Sequence, residues 1–302
     1  MIISASRRTD LPAFYSEWLM NRVRAGYCTV PNPFNPKQVS RVSLDPKDVE
    51  VIAFWTRNAR PLMRHLPEFD ERGYRYYFMV TLMDNPRPID PKCPPLEASL
   101  DTFRELAGRI GPDRVMWRYD PIYFSRATDA EYHARTYERI AGELQGYTHR
   151  SIISILTVYR KSLKRLGRLA EEGFGLAEYR ESDLSRLMPR IAASAAANGM
   201  EVFSCAEKTD LSPYAIRPGK CIDDAYISKT FGIELKVGKD PAQRKECGCV
   251  AGKDIGMYDS CLFECRYCYA TSSPERARAR FRQHNRRSPS LIDWYEAEHS
   301  LP

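Results

Sequence analysis

No apolar run in the sequence comes near the roughly 20 residues that a bilayer span requires. The opening MIISASRRTD has too short an apolar stretch for a secretory leader, and its arginines follow that stretch instead of preceding it. Internal repeats and low-complexity tracts are missing. Histidine is scarce, five in 302 residues, and none lies between residues 199 and 281. These absences argue against a membrane protein and place the chain in the cytosol, where thiols stay reduced. Its nine cysteines are therefore expected as metal ligands or buried apolar residues, not disulfides.

What is present fits a globular protein: 43% hydrophobic and 28% charged residues. The net charge of +7 permits an anionic substrate or nucleic acid and demands neither. Short β-branched or aromatic runs at residues 1–4, 49–55, 74–82, 113–119, 151–158 and 200–205 read as strands. Most are continuously apolar, as strands covered on both faces are. Helical patterns at 13–25, 96–110, 129–144 and 183–197 lie between them. This alternation predicts an α/β fold with a parallel sheet. Residues 28–44 interrupt it as a loop or small hairpin. Composition shifts after Cys205, so an α/β domain is expected over 1–210 and a cysteine-rich segment over 211–302.

Chemistry in parallel α/β folds sits where strands end. The ends here read SRRTD (Ser6 to Asp10), TRN (with Arg57), RYDP (with Arg118 and Asp120), YRK and CAEK (with Glu207). Such a mouth suits a small anionic molecule, with arginine gripping carboxylate or phosphate in bidentate fashion.

The densest signal is CGCVAGKDIGMYDSCLFECRYCYATSS, residues 247–273, with five cysteines and no histidine. Cys261, Cys265 and Cys268 are spaced C-x3-C-x2-C, so one loop brings three thiolates around a compact metal centre. Three thiolates on a four-iron cluster leave one iron without a protein ligand. Cys205, Cys221, Cys247 and Cys249 make a further set of four, enough for a closed second centre, either 4Fe-4S or zinc. Cys28 and Cys93 lie far away in sequence and read as structural.

CLFECRYC resembles the cluster motif of the radical S-adenosylmethionine (SAM) superfamily, with Tyr267 as the aromatic residue before the last cysteine. YCYA is similar to the branch that contains spore photoproduct lyase. The whole chain also resembles a bacterial family of unknown function that carries a SASRRTD-like start, FWT after the second strand and this cysteine run. The superfamily resemblance implies a partial or full TIM-like (β/α) barrel over 1–210 with the cysteine-rich segment 211–302 packed at its mouth, and a 4Fe-4S cluster on Cys261, Cys265 and Cys268. It implies SAM chelated at the open iron with its adenine near Tyr267, and a 5′-deoxyadenosyl radical that abstracts hydrogen from substrate. It also implies an electron donor such as flavodoxin or ferredoxin. Two features depart from the superfamily pattern. The motif comes last, which a circular permutation accommodates if residues 254–258 form a strand and 274–283 the following helix. SRRTD stands where Gly-Gly-Glu is usual, leaving Ser6, Thr9 or Asp10 to contact SAM.

Two alternatives stay open: a zinc-stabilised α/β hydrolase, and a nucleic-acid-binding or repair protein with a structural metal centre. The six arginines of residues 276–287 either track phosphate or form a solvated helix. The tail beyond them is expected to fold back, anchored by Trp294.

Overall fold

The computed structural model describes residues 1–297. Its frame is an eight-stranded sheet in the order β10-β1-β4-β5-β6-β7-β8-β9, with every neighbouring pair parallel. The strands are β1 (Ile2–Ala5), β4 (Val51–Thr56), β5 (Tyr76–Thr81), β6 (Val115–Ile122), β7 (Arg150–Ile155), β8 (Glu201–Cys205), β9 (Arg217–Gly219) and β10 (Lys253–Asp254). All six strands expected from apolar runs are among them. Residues 28–44 form a hairpin, β2 (Tyr27–Asn32) against β3 (Asn35–Ser43).

Alternation along each strand divides the side chains between two faces. One face carries Phe54, Phe78, Trp117 and Ile153, which pack into the main core. There they meet Trp18 of α2 (Ser16–Ala25), Phe103 of α5 (Leu96–Ile110), Tyr137 of α6 (Ala130–Glu143) and Leu187 of α8 (Glu181–Ala197). The other face carries Val51, Ala53, Tyr77, Met79 and Met116. It is covered by the stretch after β8, through Cys221, Ile222, Ile227, Cys249 and Val250. Covering both faces keeps the strands continuously apolar.

Of the two forms expected, a partial or a full barrel, the full one is not shown. No ladder joins β9 to β10 among the described residues, so the sheet stays open. Its two edge strands are only three and two residues long, and the chain between them crosses the inner face without extending the sheet. Residues 207–248 carry no convincing strand pattern in sequence, yet they hold β9, and α9 (Asp224–Phe231) follows it. β9 reads Arg-Pro-Gly, a composition tolerated at a sheet edge but invisible to pattern. β9 and β10 belong to the same sheet as the strands before residue 210.

The C-terminal elements run in the order strand, loop, helix. β10 lies parallel beside β1, residues 255–273 leave its carboxyl end, and α10 (Pro274–Gln283) follows with Ser273 as N-cap. The strand is shorter than the expected 254–258. The tail does fold back, but Trp294 is 55% exposed and is not the anchor. That part falls to Trp18, whose indole N–H donates to the Ser288 and Ser290 carbonyls at 3.0 and 3.1 Å, while Leu291 and Ile292 are buried.

Candidate metal centre

The loop between β10 and α10 is closed at its neck. Asp259 N–H donates to the Ala270 carbonyl at 2.9 Å, and the Asp259 carboxylate accepts from Ser272 Oγ at 2.8 Å. Inside the neck stand Cys261, Cys265 and Cys268. Cys268 N–H donates to Cys265 carbonyl at 3.1 Å, and Ala270 N–H points at Cys268 Sγ at 3.3 Å. Arg165, on α7 (Leu163–Leu169), donates to the carbonyls of Arg266 (3.1 Å), Ser272 (2.9 Å) and Cys268. One buried guanidinium thus takes three loop carbonyls that would otherwise be unpaired. Of the six tail arginines, Arg276, Arg278 and Arg280 also reach back, to Asp259, Glu264 and the Tyr258 carbonyl. The tail helix therefore braces the cysteine loop.

At the carboxyl end of β1, Ser6 Oγ donates to Asp254 Oδ1 and Ser4 Oγ to Asp254 Oδ2, each at 2.7 Å. Gly256 lets these strands approach: a Cβ there would stand 2.1 Å from Ser6 Oγ. Asp10 caps α1 (Leu11–Phe14), accepting from Ala13 N–H at 3.0 Å. It also accepts from Thr56 Oγ1 and Arg57 N–H, both at 2.7 Å. Burial pushes its pKa up to about 7 against those donors. Thr9 Oγ1 is buried with no partner. Ser6 and Asp10 thus hold the backbone, and Thr9 alone of the three has its side-chain oxygen uncommitted.

Arg57 and Tyr267, both expected in the site, do meet: the guanidinium donates to the phenol oxygen, and Arg57 lies 3.5 Å from Asp90. The Tyr267 hydroxyl donates to Asp90 at 3.1 Å. Burial opposes the charge on Arg57, but Asp90, Cys93, Tyr267 and Cys265 outweigh it and raise its pKa. Arg118 pairs with Asp120, which also accepts from Ser154 Oγ. Glu207 accepts Ile155 N–H at 3.2 Å.

Sequence reasoning misplaced Cys93. Its Sγ is 3.7 Å from Cys265 Sγ. With Asp90 they form the one trio of His, Cys, Asp or Glu ligand atoms, among the described residues, that all lie within 4.8 Å of one another. The loop bearing Asp90 and Cys93 is tied to the cysteine loop on both sides of Cys265, by Lys92 N–H to Phe263 carbonyl (3.3 Å) and Arg266 N–H to Ile89 carbonyl (3.1 Å). The available signal was the long proline-rich connection DNPRPIDPKCPP, set directly after a strand. Cys28 is a core residue, as expected.

The other four thiols also gather. Cys205 Sγ lies 3.3 Å from Cys221 Sγ, and Cys249 Sγ accepts the N–H groups of Cys221 (3.3 Å) and Ile222 (3.4 Å). Hydrogen bonds from the Cys221 and Cys247 thiols depress the Cys249 pKa, and one from Cys221 lowers that of Cys205 to about 7. The Tyr269 hydroxyl donates to the Arg7 carbonyl at 2.8 Å. A cavity of about 340 Å³ opens past the ends of β6 and β7, lined by Ile122, Phe124, Ile155, Leu156 and Tyr179. Leu156 also packs against the apolar cluster that contains Tyr267.

Fold and loop together define an α/β protein with an open parallel sheet and a braced, thiol-bearing loop at its carboxyl edge. The chain belongs to the family described as a domain of unknown function (DUF1848), which it matches over residues 2–270. The matched span includes SASRRTD, FWT and the cysteine run, and the family brings no activity with it. No curated protein matches the chain. No helix among the described residues is long and apolar enough to cross a membrane.

Proposed function

We propose that this protein is an iron–sulfur enzyme of the radical SAM kind, with Cys261, Cys265 and Cys268 holding the cluster. The observation that carries the reading is their position on a braced loop between a strand of the parallel sheet and the next helix, at the end of the sheet where ligands bind. The donor set fits: three thiols on one loop, an N–H aimed at Cys268 Sγ, and buried Arg57 and Arg165 to offset thiolate charge. When bound, such a cluster supplies the electron that cleaves the sulfonium of SAM.

The chain's own residues do the rest. Arg165 fixes the loop, and the Arg57–Asp90 pair fixes Tyr267 beside Cys265. Ile89, Tyr123, Leu166 and Leu169 pack around Tyr267 and shut out water, as a reactive radical requires. The apolar cavity beyond Leu156 gives a substrate a place next to the loop. Flavodoxin or ferredoxin would supply the electron.

One observation favours a second reading. The compact trio Asp90, Cys93 and Cys265 suits a single ion such as zinc in an α/β hydrolase. Anaerobic iron, zinc and sulfide analysis separates the two, with electron paramagnetic resonance of the reduced protein. A cluster signal that shifts on adding SAM supports the radical enzyme. Zinc without iron, or an iron signal indifferent to SAM, overturns it.

A further inference from the structure

We infer that Cys205, Cys221, Cys247 and Cys249 form a second metal site, a closed tetrathiolate centre for one zinc ion that staples the inner-face covering to the sheet. The four come from separate stretches: the end of β8, the turn after β9, and the C-x-C pair before β10. Folding nevertheless brings them into one string of contacts, Cys205 to Cys221 to Cys249 to Cys247. Cys249 sits at the hub, where the N–H groups of Cys221 and Ile222 both point at its sulfur. Backbone N–H groups converging on one sulfur are the usual support of a metal-bound thiolate.

Spacing decides the kind of centre. Cys205 and Cys221 stand 3.3 Å apart, sulfur to sulfur. A disulfide would need about 2.0 Å. Zinc with sulfurs at about 2.3 Å sets them about 3.8 Å apart on the edges of a tetrahedron. A cubane sets its ligands on separate irons, further apart than Cys205 and Cys221 stand. No three of the four sulfurs lie within 4.8 Å of one another, so binding one ion draws them together.

Charge points the same way. Zinc bound by four thiolates carries a net double negative charge. Arg7 and Arg118 lie buried beside these cysteines, and each has a buried guanidinium nitrogen, Nη2 of Arg7 and Nε of Arg118, with no hydrogen-bond partner. Two cations with unmet donors next to four thiols expect an anion there.

The centre also answers a structural need. Residues 232–252 cover the inner face with little regular structure beyond β10's approach, their ladder contact being the single bridge Lys239–Val250. Cys221, Cys247 and Cys249 are among the residues through which this covering meets the sheet core, beside Ile222, Ile227 and Val250. A bound ion turns their loose packing into a fixed attachment, because its binding energy is available only to the folded chain.

The site is independent of the radical SAM reading, and the test keeps the two apart. The Cys261→Ala/Cys265→Ala/Cys268→Ala protein is purified without added metal and assayed for zinc and iron. We expect about one zinc per chain, lost when Cys249→Ala is added. Mass-mapped alkylation is the second readout, and it does not depend on how the fourth substitution folds. In the triple variant the four thiols resist alkylation until a chelator strips the ion, and then all four react together. Absence of zinc from the triple variant, a Cys205–Cys221 disulfide, or iron held at these cysteines would each overturn the inference. A wild-type protein whose iron ignores SAM would sink the proposed function and leave this result standing.

Discussion

Replacing Arg57 with methionine strands a carboxylate. Asp90 is 4% exposed and Arg57 12%, so their pair at 3.5 Å lies out of reach of bulk water. Breaking a buried pair from one side costs about 3–5 kcal/mol, because the partner is left charged and unpaired. Asp90 keeps two donors after the change, Asn85 Nδ2 at 2.9 Å and the Tyr267 hydroxyl at 3.1 Å, both on Oδ2. Its Oδ1 has none. The expected loss is therefore at the lower end, about 3 kcal/mol. Converting Asp90 to asparagine in the same chain removes the stranded charge. Arg57→Met/Asp90→Asn should therefore be more stable than Arg57→Met alone, with a coupling of about 2 kcal/mol. Equilibrium urea unfolding of the wild type, both single variants and the double variant measures this, with metal content matched across the four. A cost under about 1 kcal/mol for Arg57→Met, the scale of a surface pair, would refute the reasoning. So would additive single effects.

Three further outcomes follow from the geometry. His133 is buried, with Nδ1 accepting from the Tyr119 hydroxyl at 2.8 Å and Nε2–H donating to the Tyr123 carbonyl at 3.0 Å; burial lowers its pKa from 6.5 to about 4. The unfolded chain takes up a proton that the folded chain refuses. Stability from this residue is therefore full above pH 6.5 and falls towards pH 4, by about 2 kcal/mol at pH 5. His133→Gln should flatten that limb of the stability profile, and an unchanged slope would reject the assignment. Gly256→Ala drives a Cβ to 2.1 Å from Ser6 Oγ and should cost about 1–3 kcal/mol, read as a lowered melting temperature; an unchanged one would show that β1 and β10 are not held as described. Cys93→Ser discriminates between the two readings of the first centre. Iron bound by Cys261, Cys265 and Cys268 should survive it, whereas zinc bound by Asp90, Cys93 and Cys265 should fall to near zero.

Strand positions were legible because each parallel strand is a local apolar run, readable without knowing its neighbours. The cysteine loop and its following helix were legible for the same reason: spacing and N-cap chemistry lie within about 20 residues of chain. The failures are of another kind. Cys93 meets Cys265 across 172 residues, and Arg165 meets the Cys268 carbonyl across 103. No local pattern marks either contact. β9 escaped because three residues with a proline carry no periodicity. Whether the barrel is partial or full stayed open in sequence, because closure depends on whether the last strands pair, and that is a long-range fact.

The strand-end arginines also change meaning once their partners are known. In sequence they looked like a mouth for a small anion. In the fold, Arg7 reaches Asp240, Arg57 reaches Asp90, and Arg118 reaches Asp120. Arg165 is spent on loop carbonyls. Each lies beside cysteines: Arg57 and Arg165 near Cys265, Arg7 and Arg118 near Cys221 and Cys249. Burying a guanidinium is unfavourable unless negative charge is close. One carboxylate each offsets Arg7, Arg57 and Arg118, yet Arg7 and Arg118 keep donors unmet. A bound metal takes the place of the thiols' protons and fixes them as anions. The arginines thus argue for metal-bound thiolates at both cysteine groups, and against a free anionic substrate as their main partner. If that is right, stripping metal should weaken the fold most near these arginines, and hydrogen exchange should quicken first in residues 220–250 and 259–272. Uniform quickening across the sheet would count against it.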